Sequence, residues 1–262
     1  MPLIYLKDIR LNAEAIGPAN APALLFCHAL GTDMTLWDGI IEPLSQHYRC
    51  IRYDARGHGK SDVPAPPYSM GALIRDAESI LDHFHAKDAV VIGCSMGGLV
   101  AQGLATKRLD LIRAMVLSNT AAKIGGPVLW QTRCDEVAAQ GLPAYAPGAM
   151  GRMFGRNWQT NPAMPRLRAI LEATDPQGWI GCAHAISGAE FYTTTAALRL
   201  PTLVIAGVND GTTPPDLVRE TADLILGSRW HLFRGAGHLP MVERPQDYAD
   251  LLAGFLRDIG HV

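Results

Sequence analysis

The sequence predicts an α/β fold: a doubly wound, mostly parallel twisted sheet flanked by helices, with one helical insertion. Short, continuous apolar runs recur along the chain, as they do in strands covered on both faces. Helical-period patterns separate them, and strand alternating with helix implies parallel crossovers. A long stretch near the middle contains no strand run at all, which marks an insertion.

The elements follow in order. Ile9, Leu11, Ala13 and Ala15 alternate with polar residues, the pattern of an early edge strand. Apolar runs then occur at 23–27, 50–53, 89–92 and 114–117, and later at 202–206 and 229–233. Leu73, Ile74, Ala77, Ile80, Leu81 and Phe84 share one helical face, as do Tyr248, Leu251, Leu252, Phe255, Leu256 and Ile259 near the C-terminus. From about residue 121 to 195 the chain is rich in Gly, Pro, Arg, Met and Trp, with short helical patterns such as Leu167, Ile170 and Leu171. The expected organisation is a core domain of residues 1–120 and 196–262, with 121–195 as a helical cap over a site.

Composition excludes several classes. A chain of 262 residues, 48% hydrophobic and 18% charged, is long enough for one large domain with a modest insertion. A net charge of -2 provides no basic field, so no nucleic-acid partner is expected. Met1 to Asp8 lacks a basic stretch followed by an apolar one, and no apolar run approaches ~18 residues. A cytoplasmic protein without a membrane partner is expected. The five cysteines (Cys27, Cys50, Cys94, Cys134 and Cys182) are scattered through apolar runs, as buried, reduced thiols are. No Cys-x-x-Cys or His/Cys ligand spacing suggests a metal, and no cofactor is expected.

Chemistry concentrates in a few segments. Gly93-Cys94-Ser95-Met96-Gly97 follows the 89–92 run and opens a helical stretch from Met96 to about Lys107. This is the strand–turn–helix context of a nucleophile elbow. A turn that tight strains the Ser95 backbone and leaves no room for side chains two residues away, hence Gly93 and Gly97. It lifts the hydroxyl above the sheet edge and aims the Met96 N–H at a developing oxyanion. A serine needs a base, and His238 in Gly235-Ala236-Gly237-His238-Leu239-Pro240 lies in a loop after the last strand run. His47, His83 and His85 sit at helix ends, His184 in the insertion, His231 in a strand and His261 in the terminal tail, where other roles suit them better. The imidazole needs an acceptor to fix its tautomer. Asp210, in Asn209-Asp210-Gly211 just past the 202–206 run, is the candidate; Asp223 is its rival but falls inside a helical pattern. The Leu30 N–H, in the loop after the third strand, is the candidate second oxyanion donor, with His28 as a loop anchor. The 53–61 segment, with Asp54 and Arg56, reads as a hydrogen-bonded scaffold loop.

Taken together, His28-Ala29-Leu30-Gly31, residues 54–61, the Ser95 elbow, Asp210 and His238 resemble the α/β-hydrolase superfamily over nearly the whole chain, which implies the α/β-hydrolase fold. A narrower resemblance rests on Ser118-Asn119-Thr120-Ala121-Ala122-Lys123-Ile124-Gly125, Trp130, Arg133, Gly178-Trp179, residues 182–186, residues 200–207 and Thr213-Pro214-Pro215. It is similar to 3-oxoadipate enol-lactonases (β-ketoadipate enol-lactone hydrolases) of bacterial aromatic catabolism. Two departures stand out. Ala29 stands where many relatives carry Ser or Gly, and Met153-Phe154-Gly155-Arg156 where relatives more often show an aromatic pair near a proline.

The resemblance implies a small-molecule partner, an enol-lactone bearing an acetate side chain, opened without a cofactor. Its carboxylate needs a cation, for which Arg133 is the candidate, with Trp130 as an apolar wall. Other lactonases, carboxylesterases, C–C hydrolases and perhydrolases of the fold remain alternatives, as does a ligand-binding receptor on a hydrolase scaffold. Dehalogenases and epoxide hydrolases need Asp where Ser95 stands. No oligomeric state follows from the sequence.

Overall fold

The computed structural model describes residues 3–154 and 160–262. Gly155 and Arg156, the end of the second departure, lie outside the described residues.

Among the described residues, eight strands form one sheet in the order β1-β2-β4-β3-β5-β6-β7-β8. They are β1 (Leu3–Tyr5), β2 (Arg10–Ile16), β3 (Ala23–Cys27), β4 (Arg49–Tyr53), β5 (Ala89–Cys94), β6 (Ile112–Ser118), β7 (Thr202–Gly207) and β8 (Arg229–Phe233). Only the β1/β2 and β2/β4 pairings are antiparallel; the others are parallel. Each continuous apolar run is therefore a strand, and every residue of β3, β5 and β7 is buried. The edge-strand expectation for residues 9–15 needs correction. β2 lies one place in, because the short β1 pairs outside it with Ile4 opposite Leu11.

The helices are α1 (Asp38–Leu44), α2 (Met70–His83), α3 (Met96–Lys107), α4 (Pro127–Phe154), α5 (Met164–Ala173), α6 (Pro176–Ser187), α7 (Tyr192–Ala197), α8 (Pro215–Leu224), α9 (Pro240–Glu243) and α10 (Pro245–Asp258). The crossover from β3 to β4 runs toward one edge of the sheet, and those from β4 to β5 and β5 to β6 run toward the other. Right-handed connections in opposite directions place α1 on one face and α2 and α3 on the other. Both faces are thereby covered, which the apolar runs require. The parallel strands all end on one rim, and the loops after β3, β5, β6, β7 and β8 meet there.

Helices α4 to α7 fill the stretch between β6 and β7. The short helical patterns expected there include one long element. α4 spans 28 residues, broken at Gly141, where φ is 77° and ψ 169°. Only glycine adopts that conformation cheaply, so the break is local. The apolar face of α5 buries Leu167 and Leu171, as expected. All five cysteines are buried and free.

The 53–61 loop is a scaffold. Asp54 accepts hydrogen bonds from Asn12 Nδ2 at 2.7 Å, the Met34 N–H at 2.8 Å and the Lys60 N–H at 2.9 Å. Arg56 forms a bidentate pair with Asp76 of α2, both bonds 2.7 Å, with side chains 9% and 5% exposed. The Arg56 carbonyl accepts the Cys182 thiol from α6 at 3.4 Å. A Cβ at Gly57 would lie 2.5 Å from Gly178 Cα, so α6 rests directly on this loop. The loop thus ties the α4–α7 layer to the sheet. Asp76→Ala would strand the buried guanidinium, so it is expected to lower unfolding free energy in urea by about 3–5 kcal/mol. A loss under about 1 kcal/mol would mean that the pair is not structural.

Candidate active site

The elbow is built as its sequence requires. Ser95 has φ 55° and ψ −115°, a conformation side-chain-bearing residues reach only under constraint. That strain is of the order of 1–3 kcal/mol. The neighbours enforce it. A Cβ on Gly93 would sit 2.2 Å from the Gly97 carbonyl oxygen, and one on Gly97 would sit 2.0 Å from that of Cys27. Two hydrogen bonds hold the serine backbone: its N–H donates to the Ser118 carbonyl at 3.0 Å, and Thr120 Oγ1 donates to its carbonyl at 2.7 Å. Ser95 precedes α3, yet its side chain does not cap the helix. Ser95 instead lines a cavity under the α4–α6 layer.

His238 lines the same cavity and Asp210 stands behind it. His238 Nδ1 lies 2.8 Å from Asp210 Oδ2, both side chains almost wholly buried. With Nδ1–H donating to the carboxylate, Nε2 is left as the acceptor for a serine proton. No Ser95–His238 hydrogen bond forms in this structure among the described residues, and such contacts commonly tighten only with substrate bound. Asp210 also accepts from the Thr212 and Thr213 N–H groups at 2.7 and 3.0 Å, from Thr213 Oγ1 at 2.8 Å and from Asn119 Nδ2 at 2.9 Å. Burial opposes ionisation of this carboxyl. The charge and hydrogen bond of His238, with the Asn119 and Thr213 donors, outweigh it and hold the group below the usual carboxylate range. Asp223 lies on α8 and pairs at the surface with Arg219.

Asn119 was not among the expected site residues. It has φ 49° at the end of β6, and its amide also donates to the Gly237 carbonyl at 3.2 Å, tying the acid loop to the histidine loop. A readable signal existed: an Asn just past a strand on the functional rim, a residue type that tolerates positive φ. Thr213 stood in the sequence only as part of the Thr213-Pro214-Pro215 segment of the narrower resemblance.

The loop after β3 carries Leu30 beside the cavity. Among the described residues neither the Leu30 nor the Met96 N–H meets a protein acceptor, so both are free to donate to a ligand oxygen. Two buried histidines set the loop. His28 Nε2 accepts the Ala55 N–H at 2.8 Å while Nδ1 faces the Ala29 carbonyl at 2.8 Å. His58 Nε2 accepts the Gly31 N–H at 2.9 Å. Burial drives both toward the neutral form, His58 to about 3 with repulsion from His28 adding to it. A neutral ring is what accepting a backbone N–H needs. His28 is the anchor the sequence indicates; His58 is a second one that the scaffold loop concealed.

Trp130 and Arg133 line the cavity from α4, as expected, together with the unexpected Tyr145, Arg152 and Trp179. Trp130 donates Nε1–H to the Ile124 carbonyl at 2.6 Å, which fixes its ring, and the Arg133 guanidinium lies 5.0 Å from that ring's centroid. Among the described residues no group of His, Cys, Asp and Glu is arranged to hold a metal ion.

A serine on a strained elbow, a buried Asp–His pair and two unengaged N–H groups thus meet on one strand rim. The chain belongs to the alpha/beta hydrolase family, whose pattern matches residues 24–251. It is 33% identical over 256 residues to 3-oxoadipate enol-lactonase 2 of Acinetobacter baylyi, covering 95% of this chain and 96% of that one. It is 31% identical to 3-oxoadipate enol-lactonase 1 of the same organism, covering 95% and 94%. The crystal structure of the enol-lactonase from Burkholderia xenovorans LB400 superposes with a TM-score of 0.94 at 32% identity, covering 98% of this chain and all of that one.

One ionisable neighbour of the histidine loop remains. Glu243, closing α9, accepts the Gly237 N–H at 2.8 Å through Oε1. Burial pushes its carboxyl from 4.5 up to about 7, with backbone hydrogen bonds and His238 pulling the other way. Between those values the folded chain holds a proton that the unfolded chain has released. Stability from this group is therefore complete below 4.5 and is lost as pH rises to about 7. Glu243→Gln keeps the acceptor and removes the titration. Its urea stability should fall less than that of the parent across this window; identical slopes would show that Glu243 does not couple to folding.

Proposed function

We propose that this chain opens 3-oxoadipate enol-lactone to 3-oxoadipate through an acyl-enzyme on Ser95, with His238 as base and Asp210 as its orienting acid. The observation that carries this reading is the buried 2.8 Å Asp210–His238 contact beside Ser95, at a cavity that Arg133 also lines. The enol-lactonase relatives, similar from end to end, support the substrate.

The chemistry balances without a cofactor. Ser95 Oγ bonds to the lactone carbonyl carbon as His238 Nε2 takes its proton. The Leu30 and Met96 N–H groups receive the oxyanion, and each such donor is worth about 2.7–4 kcal/mol in comparable enzymes. Collapse breaks the ring C–O bond. The imidazolium returns its proton to the departing enol oxygen, and the enol tautomerises to the ketone. Water, deprotonated by His238, then attacks the acyl carbon and releases Ser95 and the new carboxylate. Asp210 keeps its charge throughout and offsets that of the imidazolium.

Residues 121–195 act in this reading as a cap, with α4 and α6 roofing the cavity and Trp130 forming its apolar wall. Arg133 receives the acetate side chain of the substrate. The reaction belongs to aromatic-compound catabolism in the cytoplasm. Among the described residues no helix is long and apolar enough to cross a membrane.

Ring opening followed by ultraviolet absorbance tests the reading. Ser95→Ala should lower kcat by about 10³-fold or more. Arg133→Ala should raise KM for the lactone about tenfold more than for a neutral p-nitrophenyl ester. No turnover by the parent protein would sink the substrate assignment, and equal losses on both substrates would remove Arg133 from its role.

A further inference from the structure

The cavity carries more positive charge than the role given to Arg133 uses. Arg133 and Arg152 both line it. Among the described residues neither forms an ion pair with an Asp or Glu; Glu136 exerts only a weaker pull on Arg133. Burial is the chief cause that lowers the Arg133 pKa, and repulsion from Arg152 adds to it, so the two guanidiniums sense each other. Both side chains are half-buried, and two like charges lining one cavity are eased when an anion joins them.

Their supports are alike. Arg133 lies over the Trp130 ring at 5.0 Å, and Arg152 lies over the Tyr145 ring at 5.2 Å. Arg152 also donates from Nη2 to Tyr145 Oη at 2.8 Å. Tyr145 is in turn fixed edge-on against the buried Trp179, ring centroids 5.0 Å apart. A guanidinium stacked on an aromatic face keeps its in-plane N–H groups for a carboxylate. Arg152 is also tied to the reacting end of the cavity. Its carbonyl accepts the Gly211 N–H at 2.9 Å, and the next carbonyl, of Met153, accepts the His238 N–H at 2.6 Å. The anion-facing side chain and the loops bearing Asp210 and His238 share one backbone frame.

We propose that Arg152 is a specificity-determining residue that forms, with Arg133, a two-cation clamp on the carboxylate of a short anionic lactone. The proposal rests on the lactone-hydrolase reading above and extends it to the product. Ring opening creates a second carboxylate at Ser95 while the first stays in the clamp, so short dicarboxylates are ligands of the same cavity.

The test compares the parent protein with Arg152→Met, which keeps an apolar stem of similar reach, and with Arg152→Lys, which keeps the charge. Thermal unfolding establishes that each is folded. Calorimetry with adipate and with dimethyl adipate needs no turnover, so it stands if the enol-lactone proves not to be the substrate. Adipate should bind the parent protein far more tightly than its diester does. Arg152→Met should weaken adipate about tenfold, and Arg152→Lys less. With the enol-lactone, Arg152→Met should raise KM by a similar factor, beyond its effect on a neutral ester. Adipate affinity unchanged by Arg152→Met, or lactone and neutral ester losing equally, would overturn the clamp. A parent protein that binds adipate through Arg152 but does not open the lactone would overturn the substrate assignment alone.

Discussion

The geometry of the site rests on close backbone contacts that only glycine permits. At the elbow, strand β5 and helix α3 meet so tightly that a single added carbon at position 93 or 97 would overlap a carbonyl oxygen. That closeness holds Ser95 at φ 55°. A second contact of the same kind joins the other two loops. A Cβ on Gly207, at the end of β7, would lie 1.9 Å from the Gly237 carbonyl oxygen, and Asp210 and His238 follow those glycines within a few residues. Packing that leaves no slack converts strand register into side-chain geometry: β5, β6, β7 and β8 are neighbours in the sheet, so their loops deliver Ser95, Asn119, Asp210 and His238 to one place.

Charge is distributed along the cavity with the same economy. At the sheet end lies one buried carboxylate, kept ionised by the donors arrayed around it despite burial. At the α4 end lie two arginines backed by aromatic rings. Much of the remaining lining is apolar: Leu30, Ile124, Ala149, Met153, Leu171 and Ile186.

The parts of this picture that are local in sequence were legible there. The apolar runs became strands and the elbow glycines stood out, because both are properties of a few adjacent residues. Ser95, Asp210, His238, Leu30, Trp130 and Arg133 all lie at or directly behind the cavity. What escaped was relational. The placement of β4 between β2 and β3 depends on the whole sheet, and β1 is too short to display a period. Asn119 acts through a partner 91 positions away, and His58 and Glu243 act through backbone N–H groups 27 and 6 positions away, which residue type alone does not announce. Arg152 and Tyr145 sit beyond the Gly141 break in α4, in a segment that also holds Pro143 and Pro147 and shows no single apolar period.

The most direct test of the central claim is stoichiometric labelling with a p-nitrophenyl phosphonate, followed by mass spectrometry of the peptides. The account predicts one phosphonyl group per chain, on Ser95, with the labelling rate collapsing in His238→Ala. A label on another residue, or Ser95 labelled equally fast without the imidazole, would contradict it.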